Sequence, residues 1–211
     1  MESPVFTLNC GGRLLSLERP VVMGIVNVTP DSFYDGGKYF REDEVWEQCE
    51  DMLEEGATFI DVGGMSSRPG AGIISEAEEK RRVLPIIEGI HRRFPEAFIS
   101  IDTIRSSVAR EASARGAVLI NDISAGKFDE EMYATVAELG LPYVLMHMQG
   151  EPANMQAHPA YENVSLEILD FFIQELKKLR ESGVKDVIID PGFGFGKTVA
   201  HNYQLLRELS V

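Results

Sequence analysis

The sequence predicts an α/β fold of the (β/α)8 barrel type, with six βα units in its 211 residues and a β-hairpin ahead of them. Three observations predict this class. Short β-branched runs alternate with longer helical patterns, glycines stand where helices should end, and polar residues follow the strands. No linker, charge block or low-complexity tract interrupts the pattern, so residues 1–211 are predicted to form a single domain.

The predicted strands are short apolar runs of the kind that suits a parallel sheet buried on both faces. They are Val21–Val28, Thr58–Val62, Phe98–Ile101, Val118–Ile120, Tyr143–Met148 and Val187–Ile189. The predicted helices between and after them are Glu42–Glu55, Glu76–Phe94, Ser106–Arg115, Asp129–Leu139, Val164–Ser182 and His201–Leu209. Four of these helices should end near a glycine, which accepts a left-handed backbone. The four glycines are Gly56, Gly116, Gly140 and Gly183.

The hairpin is predicted from two apolar segments, Phe6–Leu8 and Leu14–Leu17, that flank the pair Gly11-Gly12. The choice of a barrel over an open sheet depends on the polar residues that end the strands. These are Asn27, Asp61, Asp102, Asn121-Asp122, His147 and Asp190. A TIM barrel builds its site from many strand ends, whereas an open doubly wound sheet concentrates its ligand groups at one switch point. The distribution therefore favours a barrel.

Composition excludes several classes of function. The chain carries 20 Lys and Arg against 34 Asp and Glu, a net charge of −14, so a nucleic-acid backbone is not an expected partner. No apolar run approaches the length of about 18 residues that spans a bilayer, so no membrane partner is expected. Cys10 and Cys49 are predicted to be reduced thiols. With no recognisable leader, the sequence predicts a cytoplasmic protein.

Three of the strand-terminal residues suggest a ligand. Asp102, Asn121 and Asp190 end the third, fourth and sixth strands, so a barrel would point them into one cavity. Carboxylates accept paired N–H donors, and an amide supplies both a donor and an acceptor. The set therefore fits a flat, guanidine-like edge of N–H donors better than a sugar or a phosphate. The alternative for each residue alone is a cap on the following helix.

Six segments in register carry a family resemblance. They read MGIVNVTPDSFYDGG at 23–37, DVGGMSSRPG at 61–70, SIDT at 100–103, NDI at 121–123, LMHMQG at 145–150 and DPGFGFGK at 190–197. In this order and spacing they closely resemble the dihydropteroate synthase family of the folate pathway. The resemblance runs from about Val21 to Gly196 and implies a transferase of an alkyl group. It would condense 6-hydroxymethyl-7,8-dihydropterin diphosphate with p-aminobenzoate and release diphosphate.

The resemblance also implies a set of site residues. Pterin binding is implied for Asp102, Asn121, Ile123, Met146 and Asp190, where Ile123 and Met146 would form the apolar wall. The p-aminobenzoate side is implied for Phe33, Ser67, Pro69 and Phe195. Asn27 would help to hold Mg²⁺ against the diphosphate. Mg²⁺ needs few protein ligands because water and phosphate oxygens complete its shell.

The implied transition state is cation-like, because the amine is a weak nucleophile and the bond to diphosphate breaks early. Asp35 is the candidate for facing the cation, Asp102 for stabilising the ring nitrogen, and Arg68 for binding an anion with its fork of donors. Two other patterns are rejected. Gly196-Lys197-Thr198 ends like a phosphate-binding loop, but Pro191 stands where its first glycine should be. His147 is predicted to be a hydrogen-bonded interior histidine rather than a proton shuttle.

The chain also departs from the family pattern. Met65 stands where an acidic residue is frequent and Ser67 where threonine is common. Family members continue with two further βα units that carry a Ser-Arg-Lys and an Arg-x-His segment, so the 211 residues are expected to belong to a longer chain. A form lacking those units is expected to show weak or no catalysis, and the resemblance implies a homodimer, which is usual in the family. The alternatives are a non-catalytic pterin-binding module or truncated pseudoenzyme, and an unrelated phosphate-binding barrel.

Overall fold

The structure is a computed structural model that describes residues 5–29, 34–35, 39–40, 42–65, 74–151 and 155–210. Its centre is a parallel sheet of six strands that curls into a half-barrel. The strands are β3 (Val22–Asn27), β6 (Ala57–Gly63), β7 (Phe98–Asp102), β8 (Ala117–Asp122), β9 (Tyr143–Met146) and β10 (Val187–Asp190). They lie in chain order across the sheet. Each crossover therefore advances in one direction, as in a barrel, and the reversal of a doubly wound sheet does not occur.

Helices alternate with these strands as the sequence predicts. They are α1 (Glu42–Glu54), α2 (Glu76–Arg93), α3 (Ser106–Ser113), α4 (Met132–Leu139), α5 (Val164–Ser182) and α6 (Val199–Arg207). Side chains cap several of them: Ser75 accepts from the backbone N–H of Glu78 and Asn163 from that of Leu166. Gly140 and Gly183 follow α4 and α5 with φ of 64° and 96°, so these helices end where the sequence predicts.

Two helices begin at different residues from those predicted, for local reasons. The helix predicted from Asp129 begins at Met132, because the carboxylate of Asp129 accepts from the backbone N–H groups of Ser106 and Glu131. The helix predicted from His201 begins at Val199. Thr198 caps it, and the His201 ring accepts from the Thr198 N–H in a reciprocal capping box.

The sheet has a separate apolar core on each face. The convex face packs against the helices, and buried residues of this core include Val62, Ile101, Ile120 and Leu145. The concave face carries a smaller core at the amino ends of the strands. Its buried members are Leu8, Cys10, Phe59, Leu119 and Val144. Because side chains alternate along a strand, these two cores identify which residues face the inside of the half-barrel.

The concave core is covered by the predicted hairpin. Strand β1 (Thr7–Cys10) pairs with β2 (Arg13–Ser16) around Gly11 and Gly12, whose φ values are 61° and 90°. Arg13 fastens the hairpin, because its guanidinium donates to the carbonyls of residues 95, 96 and 97. The same group lies 4.0 Å from the centre of the Phe98 ring. The hairpin thus closes the amino end and leaves the carboxyl ends of the strands open.

Some features of the fold lie outside the prediction. Residues Tyr34–Asp35 (β4) and Tyr39–Phe40 (β5) form a short antiparallel pair in the loop after β3, where the sequence predicts no strands. Cys10 and Cys49 are buried free thiols, as predicted, and burial raises the pKa of each, to about 11 and about 12. Among the helices of the described residues, none has the length and apolar character needed to cross a membrane.

Candidate active site

The candidate site lies on the concave face, at the carboxyl ends of the strands. Phe59, Leu119 and Val144 point into the concave core, and residues an even number of positions further along each strand share that face. The concave residues at the carboxyl ends are Gly63 on β6, Asp102 on β7, Asn121 on β8, Met146 on β9 and Asp190 on β10. Folding therefore gathers Asp102, Asn121 and Asp190 on one side of the sheet.

Strand register brings Asn27 and Asp102 together across a glycine. Asn27 pairs with Gly63, and Gly63 pairs in turn with Asp102. A Cβ added to Gly63 would lie 3.1 Å from Oδ2 of Asp102 and 3.3 Å from Oδ1 of Asn27. The missing side chain at position 63 thus leaves a space into which an exposed amide and a half-buried carboxylate both project.

Asp61 fixes the orientation of Asn121. The Asn121 amide donates to Oδ2 of Asp61 over 2.9 Å, so its Oδ1 remains the atom that can accept a donor from a ligand. Asp61 itself is 4% exposed, and its second oxygen has no hydrogen-bond partner among the described residues. The sequence analysis placed Asp61 at a strand end without assigning it to the site. A carboxylate inside an apolar strand was the signal that could have identified it.

The carboxyl groups of the site are under electrostatic strain. Burial raises the pKa of Asp102 well above its usual range, and the carboxylates of Asp61, Asp122 and Glu79 raise it further. Burial also raises the pKa of Asp61, although the Ser100 and Asn121 side chains oppose this change. A ligand that presents several N–H donors would relieve this strain, because it would supply the partners that the ionised oxygens lack.

Asp122 has a structural role, although it is adjacent to Asn121. Its carboxylate accepts from the N–H and O–H of Ser124, the N–H of Gly126 and the hydroxyl of Tyr143. It is fully buried on the convex side, and these four donors organise the turn after β8. The turn after β8 thus accounts for Asp122, whereas Asn121 lies on the concave face.

Asp190 begins the loop that follows β10. One of its oxygens accepts from the N–H of Gly192 over 2.8 Å, and its backbone carbonyl accepts from the N–H of His147. The carboxylate is half-buried. Asp190 thus shapes its own loop as well as lying on the concave face, and it does not cap the following helix, which Thr198 caps.

An apolar wall stands beside the polar groups. Met146, Met148 and Met155 form a buried cluster, and Ile123 and Phe195 pack against it. The structure therefore unites Ile123 and Met146, predicted to line the pterin slot, with Phe195, predicted to face the aromatic substrate. Methionine and aromatic side chains together make a polarisable surface that suits a flat ring.

His147 and Lys197 form a buried pair behind this wall. The Lys197 ammonium lies 3.1 Å from Nδ1 of His147. Lys197 is 3% exposed and His147 is 8% exposed. Burial, with the charges of Lys197 and Lys127, lowers the pKa of His147 to about 3, so the ring is neutral at pH 7. An interior histidine is thus favoured over a proton shuttle. The burial of Lys197 likewise agrees with the rejection of a phosphate-binding loop.

Charged side chains bind the backbone on both sides of residues 66–73, between β6 and α2. Arg105 donates to the carbonyl of Ile74 and to the buried Glu79 carboxylate, which also accepts from the Thr103 hydroxyl. Arg82 donates to the carbonyl of Gly64. Four candidate residues lie outside the described residues: Phe33, Ser67, Arg68 and Pro69. The backbone of Asp35 belongs to β4, but its side chain also lies outside that description.

Similarity to known proteins agrees with this site. Residues 23–211 match the family model described as pterin binding enzyme. The dihydropteroate synthase of Haemophilus influenzae is 47% identical over 205 residues, which cover 96% of this chain and 74% of that protein.

Solved structures of dihydropteroate synthases are also similar to this chain. A Xanthomonas albilineans dihydropteroate synthase with 4-aminobenzoic acid is 42% identical, with a TM-score of 0.88, over 96% of this chain and 72% of that chain. A structure of that organism's enzyme in complex with 7,8-dihydropteroate is 40% identical, with a TM-score of 0.83 and the same two coverages of 96% and 72%. The chain belongs to the dihydropteroate synthase family of pterin-binding enzymes.

Proposed function

We propose that this chain belongs to an enzyme that condenses 6-hydroxymethyl-7,8-dihydropterin diphosphate with p-aminobenzoate, giving 7,8-dihydropteroate and diphosphate. The observation that carries the proposal is the gathering of Asn27, Asp102 and Asn121 on one concave face at the ends of β3, β7 and β8. Solved relatives in complex with 4-aminobenzoic acid and with 7,8-dihydropteroate support the choice of second substrate and of product.

The polar groups suit the donor-rich edge of the pterin. Asp102 and Asp190 can each accept N–H groups, and the fixed Oδ1 of Asn121 can accept a third. The pterin ring would lie with one face against the wall formed by Met146 and its neighbours. This arrangement orients the methylene carbon and excludes water from that face, which are the two tasks that an alkyl transfer requires of the binding site.

The p-aminobenzoate ring would stack near Phe195. This side chain packs at the open edge of the methionine cluster, next to the end of β10. Phe33, Ser67 and Pro69 remain candidates for the other contacts, as the family resemblance implies, and Arg68 and Asp35 remain candidates for charge stabilisation. These assignments stay predictions, because the five side chains lie outside the described residues.

The site also fits a weakly held magnesium ion. Among the described residues no group of three or more His, Cys, Asp or Glu could hold a metal on its own. Asn27 instead presents an exposed oxygen beside the space above Gly63, and Mg²⁺ commonly uses one or two protein oxygens together with water and phosphate oxygens. When bound, Mg²⁺ would neutralise charge on the departing diphosphate. Asn27 is the residue proposed to hold it.

The reaction breaks the C–O bond between the methylene carbon and diphosphate, and forms a C–N bond to the amine. Diphosphate leaves with the electron pair of the broken bond, and the new C–NH₂⁺ group loses one proton to solvent. Positive charge develops on the pterin as the bond breaks, so the nearby carboxylate of Asp102 would stabilise the transition state more than the ground state. No covalent enzyme intermediate is needed.

The test is diphosphate release from the pterin substrate, measured with and without p-aminobenzoate and Mg²⁺. The proposal expects release that requires all three components and yields 7,8-dihydropteroate in equal amount. Pterin binding without any release would contradict catalysis and indicate a pterin-binding module. Failure to bind pterin would contradict the assignment of the concave face as the site.

A further inference from the structure

The loop after β10 contains a buried cation that pterin recognition does not explain. Lys197 is 3% exposed, and its ammonium donates to three acceptors over distances of 2.9 to 3.2 Å. They are the carbonyl of Phe195, the carbonyl of His147 and Nδ1 of His147. None of these acceptors carries a negative charge. A buried ammonium without a carboxylate partner is unfavourable for folding, so a role in the site would explain its presence.

The acceptors of Lys197 belong to the two segments that build the apolar wall. Phe195 is itself a wall residue, and His147 directly follows Met146 at the end of β9. One ammonium therefore joins the 191–197 loop to the strand end beside it. The contact is close: a Cβ on Gly192 would lie 2.1 Å from the carbonyl oxygen of His147. A Cβ on Gly196 would lie 2.3 Å from that of Gln149.

We propose that Lys197 is a positioning residue, whose buried ammonium holds the 191–197 loop against the end of β9 and thereby sets the wall formed by Met146 and Phe195. The role of that wall in substrate binding rests on the proposed function. The attachment of the 191–197 loop to the end of β9 by Lys197 does not. Lys197 touches neither substrate in this account, and it acts through the backbone of Phe195 and through His147.

The surroundings of Lys197 define its expected pH dependence. The His147 ring, directly after β9, contacts the Lys197 ammonium, and the Asp190 carboxylate on β10 acts on it through its charge. Lys127 acts on His147 through its charge, and the Tyr161 hydroxyl donates to the carbonyl of Gly196 beside Lys197. Burial lowers the pKa of Lys197 to about 8, although the Asp190 carboxylate opposes the change. His147 stays neutral throughout the alkaline range. Above pH 8 the lysine becomes a neutral amine with two hydrogens for three acceptors, so its hold on the loop weakens.

The direct test compares amide hydrogen exchange of residues 191–197 in the wild type, Lys197→Met and the control Lys177→Met. Lys177 lies on α5 with 75% of its side chain exposed. We expect exchange in this loop to be at least about tenfold faster in Lys197→Met, with the rest of the protein unchanged, and to be unaffected in Lys177→Met. Equal protection in all three proteins would overturn the proposal, and so would a uniform loss of protection across Lys197→Met.

The wild type alone provides a second test, in which no variant has to fold. Between pH 7 and 9.5 the protection factors of this loop in the wild type should fall with a midpoint near pH 8. A flat profile in the wild type would overturn the proposal.

Measurements of ligand binding extend the test and separate the positioning role of Lys197 from the proposed function. The Kd of 7,8-dihydropteroate should rise at least about fivefold in Lys197→Met and remain unchanged in Lys177→Met. Loop protection that depends on Lys197 in a wild type that binds no pterin would refute the proposed function while supporting the inference. An unchanged Kd beside faster loop exchange would refute the link between the loop and the site.

Discussion

At the scale of single residues, the site is distinguished by what Asp61 does for Asn121. An amide on a strand end can rotate by a half-turn and exchange its donor for its acceptor. The hydrogen bond to Asp61 removes this freedom and leaves Oδ1 facing the cavity. Specificity for a donor-rich edge thus depends on a carboxylate that need not touch the ligand. The sequence could suggest Asn121, but its partner 60 positions earlier required the register of the sheet.

Replacing Asp61 tests this positioning. Asp61→Ala should weaken pterin binding by about 1–2 kcal/mol, because Asn121 loses the acceptor that fixes its amide. The measurement is isothermal titration calorimetry, in which a pterin is titrated into the wild type, Asp61→Ala and Asp170→Ala. Asp170 is exposed on α5 and serves as the control. An unchanged affinity in Asp61→Ala would show that Asn121 needs no partner.

In the ligand-free protein, ionised Asp102 should lower the free energy of unfolding. Burial and the neighbouring carboxylates raise its pKa in the folded state well above its usual range, so the folded protein holds the proton to a higher pH than the unfolded chain. Stability therefore falls as the pH rises from about 4 through the raised pKa.

Asp102→Asn should accordingly raise Tm at pH 7 by roughly 2–4 °C for each kcal/mol gained, while it weakens pterin binding. Thermal unfolding monitored at pH 7 and again near pH 4.5 is the measurement. The difference between the Tm of the variant and that of the wild type should shrink at the lower pH, because protonation of the unfolded chain removes the linkage. A Tm that falls at pH 7 would contradict the electrostatic account of this carboxyl group.

At the scale of elements, most of the fold could be predicted from local signals. Every predicted strand and helix of the six units exists, because glycines with positive φ end helices and apolar runs of four to seven residues form the strands. The helix starts near Asp129 and His201 were displaced, because side-chain caps there depend on exact geometry. The pair β4–β5 could not be predicted, since two-residue strands carry no periodicity.

The site could be predicted in part, for a related reason. Alternation along β8 separates Asn121 from Asp122 and assigns one to the site and the other to a turn, but the sequence does not show which face is concave. That assignment needed the hairpin, which identifies the concave face through Phe59 and Leu119. Lys197 was dismissed with the phosphate-binding pattern, since its partner His147 lies 50 positions away.

The loop after β10 allows a matched test of packing between elements. Gly192 and Gly194 both have positive φ, at 68° and 84°, but a Cβ on Gly194 would meet nothing within 4 Å. Gly194→Ala should therefore cost about 1–2 kcal/mol of backbone strain. Gly192→Ala should cost roughly 1–3 kcal/mol more, because its methyl group would collide with the carbonyl of His147. Urea unfolding measures the free energy of unfolding of both variants. An equal decrease in the two would contradict the close contact of loop and strand.

At the scale of the whole molecule, the architecture assigns stability and function to opposite ends of the strands. The hairpin and the apolar core fill the amino ends, while the carboxylates of Asp102 and Asp190 and the amide of Asn121 occupy the carboxyl ends. The net charge of −14 makes the protein as a whole unattractive to an anionic substrate. The proposed function would therefore depend on the donor-rich edge of the pterin, and the Mg²⁺ proposed at Asn27 would help to offset the charge of the diphosphate.

The central claim is that acidic and amide groups at the strand ends bind the pterin, and titration of a pterin into the wild type and Asp190→Asn tests it most directly. The account predicts that the substitution weakens binding by about 1.5–3 kcal/mol, because the charge-assisted hydrogen bonds between the carboxylate and the pterin N–H donors are lost. Asp170→Asn, on the exposed side of α5, should bind like the wild type. The same affinity in Asp190→Asn as in the wild type would contradict the claim.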